Sequence, residues 1–135
     1  MSQNTDDFYY NLTQIVIKAK NDKLSSSQIN EILEYSQDTE DKNELFIFIM
    51  RQSKKGYYTE TAKSMLNYFK NKNMDMTQIR KFIGLLKWLM EALKGIEELS
   101  GVEDFDSLLN KFISSSSQDN KQPQGNKNEG GEDEY

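Results

Sequence analysis

The chain has 135 residues, no Cys, no His, a single Pro and a formal charge of −5. That length suits one domain, and the missing residue types exclude a disulfide framework, thiol chemistry and histidine-based acid–base or metal chemistry. No long apolar run is present to span a membrane, and the acidic start MSQNTDDFYY does not read as a signal peptide, so a cytoplasmic protein is expected.

Proline is confined to position 123, and only Gly56 and Gly84 precede Gly95. Long uninterrupted stretches of this kind suit helices better than a turn-rich β fold. The expected fold is therefore all-α, a compact bundle of five to six helices over 1–113 with a disordered acidic tail over 114–135. Phe8, Leu12, Ile15 and Ala19 make one stripe and predict a first helix from Asp6 to Lys20. Asp6 and Asp7 would sit at its positive end, Lys18 and Lys20 at its negative end. Ser25 with Gln28 has capping-box spacing and starts a second helix that ends near Gln37.

A third helix follows, capped by either Thr39 or Asp41. Its apolar run Leu45-Phe46-Ile47-Phe48-Ile49-Met50 has no helical period, so a buried strand competes with a helix. As a helix it would be apolar all round and central in the bundle. Gly56 is the expected left-handed residue that ends it. The fourth helix is predicted from an N-cap at Thr59 to Asn71, with Ala62, Met65, Leu66 and Phe69 inward. The fifth, Met76 to Lys94, follows Asn73 or Asp75 and has the clearest period: Ile79, Phe82, Ile83, Leu86, Leu89, Met90 and Leu93. Gly95 or Ser100-Gly101 closes it. A short sixth helix from Asp104 to Ile113 is expected to bury Phe105, Leu108, Leu109 and Phe112. From Ser114 the chain has no apolar residue before Tyr135, too little to offset the entropy of ordering. Leu24-Ser-Ser-Ser-Gln-Ile-Asn and Met74-Asp-Met-Thr-Gln-Ile-Arg look alike. They read either as an internal repeat or as two helix starts with one capping chemistry, and the second reading is favoured.

Catalysis and metal binding find little support. Glu97 and Glu98, or Asp104 and Asp106, read as solvated helix ends, and no EF-hand or phosphate-loop spacing is present. The chain is expected to be no enzyme, with no catalytic residue, no metal site and no cofactor. Charge gives the better lead. Residues 51–94 hold ten basic residues against three acids, a local charge of +7 in an otherwise acidic chain. On the fifth helix Arg80, Lys87 and Lys94 are spaced by seven, and Lys63 and Lys70 repeat that spacing on the fourth. If these helices pack antiparallel, two cation rows share a surface suited to a phosphate backbone. Arg51, Lys54, Lys55 and Lys81 complete the candidate nucleic-acid-binding set. Tyr57 and Tyr58 offer either a stacking surface for a base or, the favoured reading, a hydrophobic staple around the Thr59 cap.

Three ordered segments carry a resemblance. They are Lys23-Leu-Ser-Ser-Ser-Gln-Ile-Asn-Glu-Ile-Leu33, Phe46-Ile-Phe-Ile-Met-Arg51-Gln, and Lys81-Phe-Ile-Gly-Leu-Leu-Lys-Trp-Leu-Met-Glu-Ala-Leu93. Together they resemble the small helical subunit of type III CRISPR effector complexes. The resemblance implies an all-α, non-catalytic subunit that stacks inside an RNA-guided antiviral defence ribonucleoprotein. Its implied partners are the backbone of guide and target RNA and the other subunits of the complex, with self-association as a further option. By position Arg51 is the best-matched RNA contact, followed by Lys81 and Lys87. The chain departs from the pattern at Asn30, where the family has Arg, and before Arg51, where it lacks Ala-Gly. The acidic tail is outside the pattern. The alternative function is a helical protein–protein adaptor, of phage or plasmid origin, whose basic face binds an acidic partner protein.

Overall fold

A computed structural model describes the backbone of residues 2–96 and 99–119, and side chains over 7–96 and 99–115. The described residues form six α-helices and no strand: α1 Ser2–Asn21, α2 Ser26–Asp38, α3 Lys42–Gly56, α4 Thr59–Asn71, α5 Met76–Ala92 and α6 Phe105–Asp119. The all-α bundle expected from the glycine and proline distribution is the fold observed. No described helix is long and apolar enough to cross a membrane.

Capping sets most of the helix starts. The Ser25 hydroxyl accepts from the Gln28 backbone N–H at 3.1 Å, and the Gln28 side chain accepts from the Ser25 N–H at 2.9 Å. Asp75 and Gln78 repeat this reciprocal pair at 2.9 Å in both directions. Such pairs satisfy two N–H groups that a helix start otherwise leaves orphaned. The similarity extends backwards into the preceding turns. Leu24 N–H donates to Ala19 O, and Met74 N–H donates to Phe69 O. Lys23 and Asn73, one residue earlier in each case, both take positive φ, 60° and 49°. The α1–α2 and α4–α5 corners are thus built alike through cap and turn.

α1 and α4 run antiparallel. Asp22, just past the end of α1, accepts from the Thr61 N–H at 2.9 Å near the start of α4. Lys72, just past the end of α4, pairs with Asp7 in the first half of α1 at 3.1 Å. α2 lies chiefly on α5, which also packs on α1, while α4 packs on α1 and α3. The core centres on Phe82, whose ring meets Phe69 and Phe8 edge-on at 5.3 and 5.6 Å. Ile29, Ile32, Leu45 and Ile49 are fully buried around it. Burying each such side chain contributes on the order of 1.5–3 kcal/mol.

The structure differs from the sequence expectations at definite points. α1 begins at Ser2, so Asp6 and Asp7 lie beyond its first turn. Of the two cap candidates offered for α3, Asp41 is the one used, accepting from Asn43 and Glu44, while Thr39 donates its hydroxyl to Glu44 at 2.6 Å. The apolar run is helical, but α3 is not apolar all round. Leu45 and Ile49 face the core, while Ile47 and Met50 stay 62 % and 51 % exposed. α3 is a flank of the bundle, because α4 covers only one side of it and α2 another. Tyr58, not Thr59, is the N-cap of α4, and its side chain makes no capping bond. Asp22 supplies that bond from a distant turn instead. α5 stops at Ala92, with Gly95 at φ 85° just beyond it.

α6 continues past Ser114 to Asp119. Residues 120–135, the greater part of the expected disordered tail, lie outside the described residues. Of the four apolar residues expected inside α6, Leu108 is buried and Phe105 is partly so, but Leu109 and Phe112 are exposed. Among its larger contacts α6 packs on α1, and Leu109 and Phe112 border a small apolar cavity shared with Leu89, Ala92 and Leu93 at the end of α5.

Candidate nucleic-acid interface

The α3–α4 corner brings three of the expected cations together. α3 places Lys54 on its outer face one turn after Met50, and α4 presents Lys63 and Lys70 along its own outer face. At 1.5 Å rise per residue those two are about 10.5 Å apart along the helix. The three lysines rim a groove of about 520 Å³ whose floor includes Met50, Ala62 and Leu66. Lys63 pairs with Glu60 at 3.4 Å, and both side chains are well exposed, so this pair contributes little and leaves the ammonium available. Lys54 and Lys70 are exposed.

The corner has unusual construction. Gly56 remains helical, and Tyr57 takes the left-handed conformation at φ 63°, ψ 42°. The expected assignment of that conformation to Gly56 is therefore corrected by one residue. The reason is space. A Cβ at position 56 would stand 2.4 Å from Gln28 Nε2 and 2.8 Å from the Tyr58 ring. Glycine is needed there for close approach, and the left-handed strain moves to Tyr57, whose ring is 86 % exposed. Tyr58 turns inward. It is buried, its hydroxyl has no hydrogen-bond partner among the described residues, and burial followed by the nearby Glu31 charge pushes its phenol up to about 12.

The other expected cations are placed differently. Arg80 does not line an open row. Its Nε donates to Ser36 O at 2.8 Å, and its Nη2 donates to Thr39 O at 3.0 Å and Glu40 at 2.9 Å. It satisfies the carbonyls at the C-terminal end of α2, where the helix dipole also favours a cation. Lys87 bridges to Glu91 one turn on at 3.2 Å and is largely covered. Lys81 lies 5.8 Å from the centre of the Phe8 ring. Arg51 donates to Gln52 Oε1 at 3.2 Å. Lys55 and Lys94 are exposed. The antiparallel α4–α5 packing that would merge the two rows is not among the principal contacts of the bundle, so Lys63 and Lys70 stand with Lys54 and not with the α5 cations.

Sequence reasoning missed the apolar floor of this groove. Met50 read as one more member of a buried run, while Leu66, expected inward, does pack against the core but also lines the groove. The available signal was the spacing Met50–Lys54, which places both on one face of α3. It also missed a cleft of about 610 Å³ between α1 and α6, lined by Asp7, Tyr9, Tyr10, Asp104 and Phe105. Asp104 there is held below the usual carboxylate range by hydrogen bonds from Ser107. Among the described residues no cluster of three His, Cys, Asp or Glu side chains is placed to hold a metal ion.

No family model, curated protein or solved structure matches the chain.

Proposed function

We propose that this chain is a non-catalytic binding subunit that holds the phosphate backbone of single-stranded RNA along the α3–α4 face. The observation that carries this reading is the convergence of Lys54, Lys63 and Lys70 around one groove. Three exposed ammonium groups on rigid helices can neutralise three phosphates without reading base identity. Tyr57 lies close to the groove in sequence, three residues from Lys54, and its exposed ring can stack on an unpaired base. Residue order resembling the small subunit of type III CRISPR effectors extends the proposal to a place inside an RNA-guided defence ribonucleoprotein, beside guide and target RNA.

The test is salt-titrated binding of an unstructured RNA to the full chain. Three phosphate contacts on a single strand predict a log–log slope near −2, or roughly a 20-fold loss of affinity between 50 and 200 mM salt. Replacing Lys54, Lys63 and Lys70 by Gln should remove that slope. Replacing Lys87 and Lys94 by Ala should change it little. No measurable binding at low salt by a chain cut after Asp119 would sink the RNA reading for the isolated subunit, and co-purification of RNA with larger subunits would support the complex.

One observation favours a second reading. Met50, Ala62 and Leu66 make the floor apolar, which also suits an acidic amphipathic helix from a partner protein. An adaptor of that kind would bind its partner with the same three lysines and show no RNA affinity.

A further inference from the structure

The α3–α4 groove combines a lysine rim with an apolar floor, and the chain carries a segment of the opposite character. Glu129-Gly-Gly-Glu-Asp-Glu-Tyr135 holds four acids, no cation and one aromatic side chain. We infer that this segment docks in the α3–α4 groove of its own chain, with its carboxylates on Lys54, Lys63 and Lys70 and Tyr135 over Met50 and Leu66.

Charge and reach both carry the inference. The acids of the bundle that form salt bridges are mostly engaged away from this groove: Asp7 with Lys72, Glu40 with Arg80, Glu91 with Lys87. Only Glu60 is bonded to a rim lysine among the described residues, and that contact is exposed. The rim therefore keeps a surplus of positive charge, and 129–135 is the densest run of uncompensated acids in the sequence. α6 ends at Asp119, ten residue steps before Glu129. Ten steps extend at most about 33–36 Å. A domain of this size has a radius of gyration of about 13 Å, so that length runs roughly a third of the way round the bundle from the end of α6. Tethering also raises the local concentration of the segment to about the millimolar range, enough for weak ion pairs to be populated.

Docking would make the groove self-occupied at low ionic strength, so an incoming polyanion would have to displace the segment. The inference does not depend on the identity of that ligand.

The experiment uses the full chain with no nucleic acid present. Amide resonances are compared between the parent protein and a variant carrying Glu129→Gln, Glu132→Gln, Asp133→Asn and Glu134→Gln. The expected result is movement confined to Met50–Thr59 and Ala62–Lys70, with α2 and α5 unmoved. Raising salt to 1 M, where screening shortens to about 3 Å, should bring the parent spectrum onto that of the variant. Tyr135→Ala should shift the Met50 and Leu66 methyl resonances. Identical α3–α4 resonances in the two proteins would overturn the inference. Shifts that grow with protein concentration would also overturn it, because the occupant would then be the segment of a second copy. Either failure leaves the RNA titration untouched, so the two proposals stand or fall separately.

Discussion

Replacing Arg80 by Ala separates a structural cation from a binding one. Its guanidinium donates to two backbone carbonyls of the α2 C-terminus, Ser36 O at 2.8 Å and Thr39 O at 3.0 Å. Hydrogen bonds from a charged donor contribute about 1.5 kcal/mol or more each, so the two carbonyl bonds account for roughly 3 kcal/mol. The third contact, to Glu40, adds little because the Glu40 side chain is 85 % exposed. Water can reach part of the vacated site, since the Arg80 side chain is itself 25 % exposed, and this reduces the expected loss to about 2 kcal/mol. For a domain of this size that corresponds to a fall in Tm of roughly 8 °C. Urea unfolding followed by far-ultraviolet circular dichroism measures it, with an unchanged m-value. Arg80→Lys should recover only part of the loss, because one ammonium cannot match the fork that spans both carbonyls. RNA affinity of the folded variant should change less than for Lys63→Gln. A variant within 0.5 kcal/mol of the parent by the same measurement, or an RNA defect equal to that of Lys63→Gln, would refute the assignment of Arg80 to the α2 end.

Asp22→Ala should cost about 2 kcal/mol, because it uncaps α4 and strips the buried Thr61 hydroxyl of its acceptor; thermal unfolding reads this directly. Tyr58→Phe should leave stability unchanged or raise it by up to about 1 kcal/mol in chemical denaturation, since it removes a buried hydroxyl that has no partner among the described residues. The same substitution has a signature in alkali. The folded phenol titrates near 12, above the ordinary 10, so its contribution is complete below about pH 10 and is lost as pH rises towards 12. The Phe variant should therefore show a shallower loss of stability over that window. Gly56→Ala and Gly84→Ala should have opposite signs. At Gly84 a Cβ meets nothing within 4 Å, and Ala should stabilise α5 by about 0.5–1 kcal/mol. At Gly56 the same propensity gain is outweighed by collision with the buried Tyr58 ring, leaving a net loss of about 1 kcal/mol on denaturant titration.

What the sequence made legible was local. The capping pairs Ser25–Gln28 and Asp75–Gln78 are three residues apart, so their geometry follows once a helix begins. The inward stripe of α5 is equally readable from its period, and Ile79, Phe82, Ile83, Leu86 and Met90 are buried as expected. Six consecutive apolar residues in α3 gave no period, and which of them face outward depends on which helices pack beside it. That decision rests on α2 and α4, not on 45–50. The uses of Asp22 and Arg80 were illegible for the same reason. Their partners lie 39 to 44 residues away, and nothing near them in sequence names those partners. Half of the candidate site was visible as charge, and the groove floor was hidden because Met50 and Leu66 look like core until the packing of α3 on α4 is known.

The Gly56–Tyr57 pair has a consequence for how this corner can change. Many helices end with glycine in the left-handed position and a bulkier residue before it. Here the order is reversed, and exchanging the two residues would relieve the backbone at 57 while driving a side chain into Gln28 and Tyr58. No single substitution reaches the conventional arrangement. Glycine at 57 alone is sterically permitted and relaxes the strain, but it deletes the exposed ring beside the lysine groove. The corner is therefore held between a strained backbone at 57 and a steric collision at 56, and a substitution chosen only to improve stability there would remove the exposed Tyr57 ring beside the lysine groove.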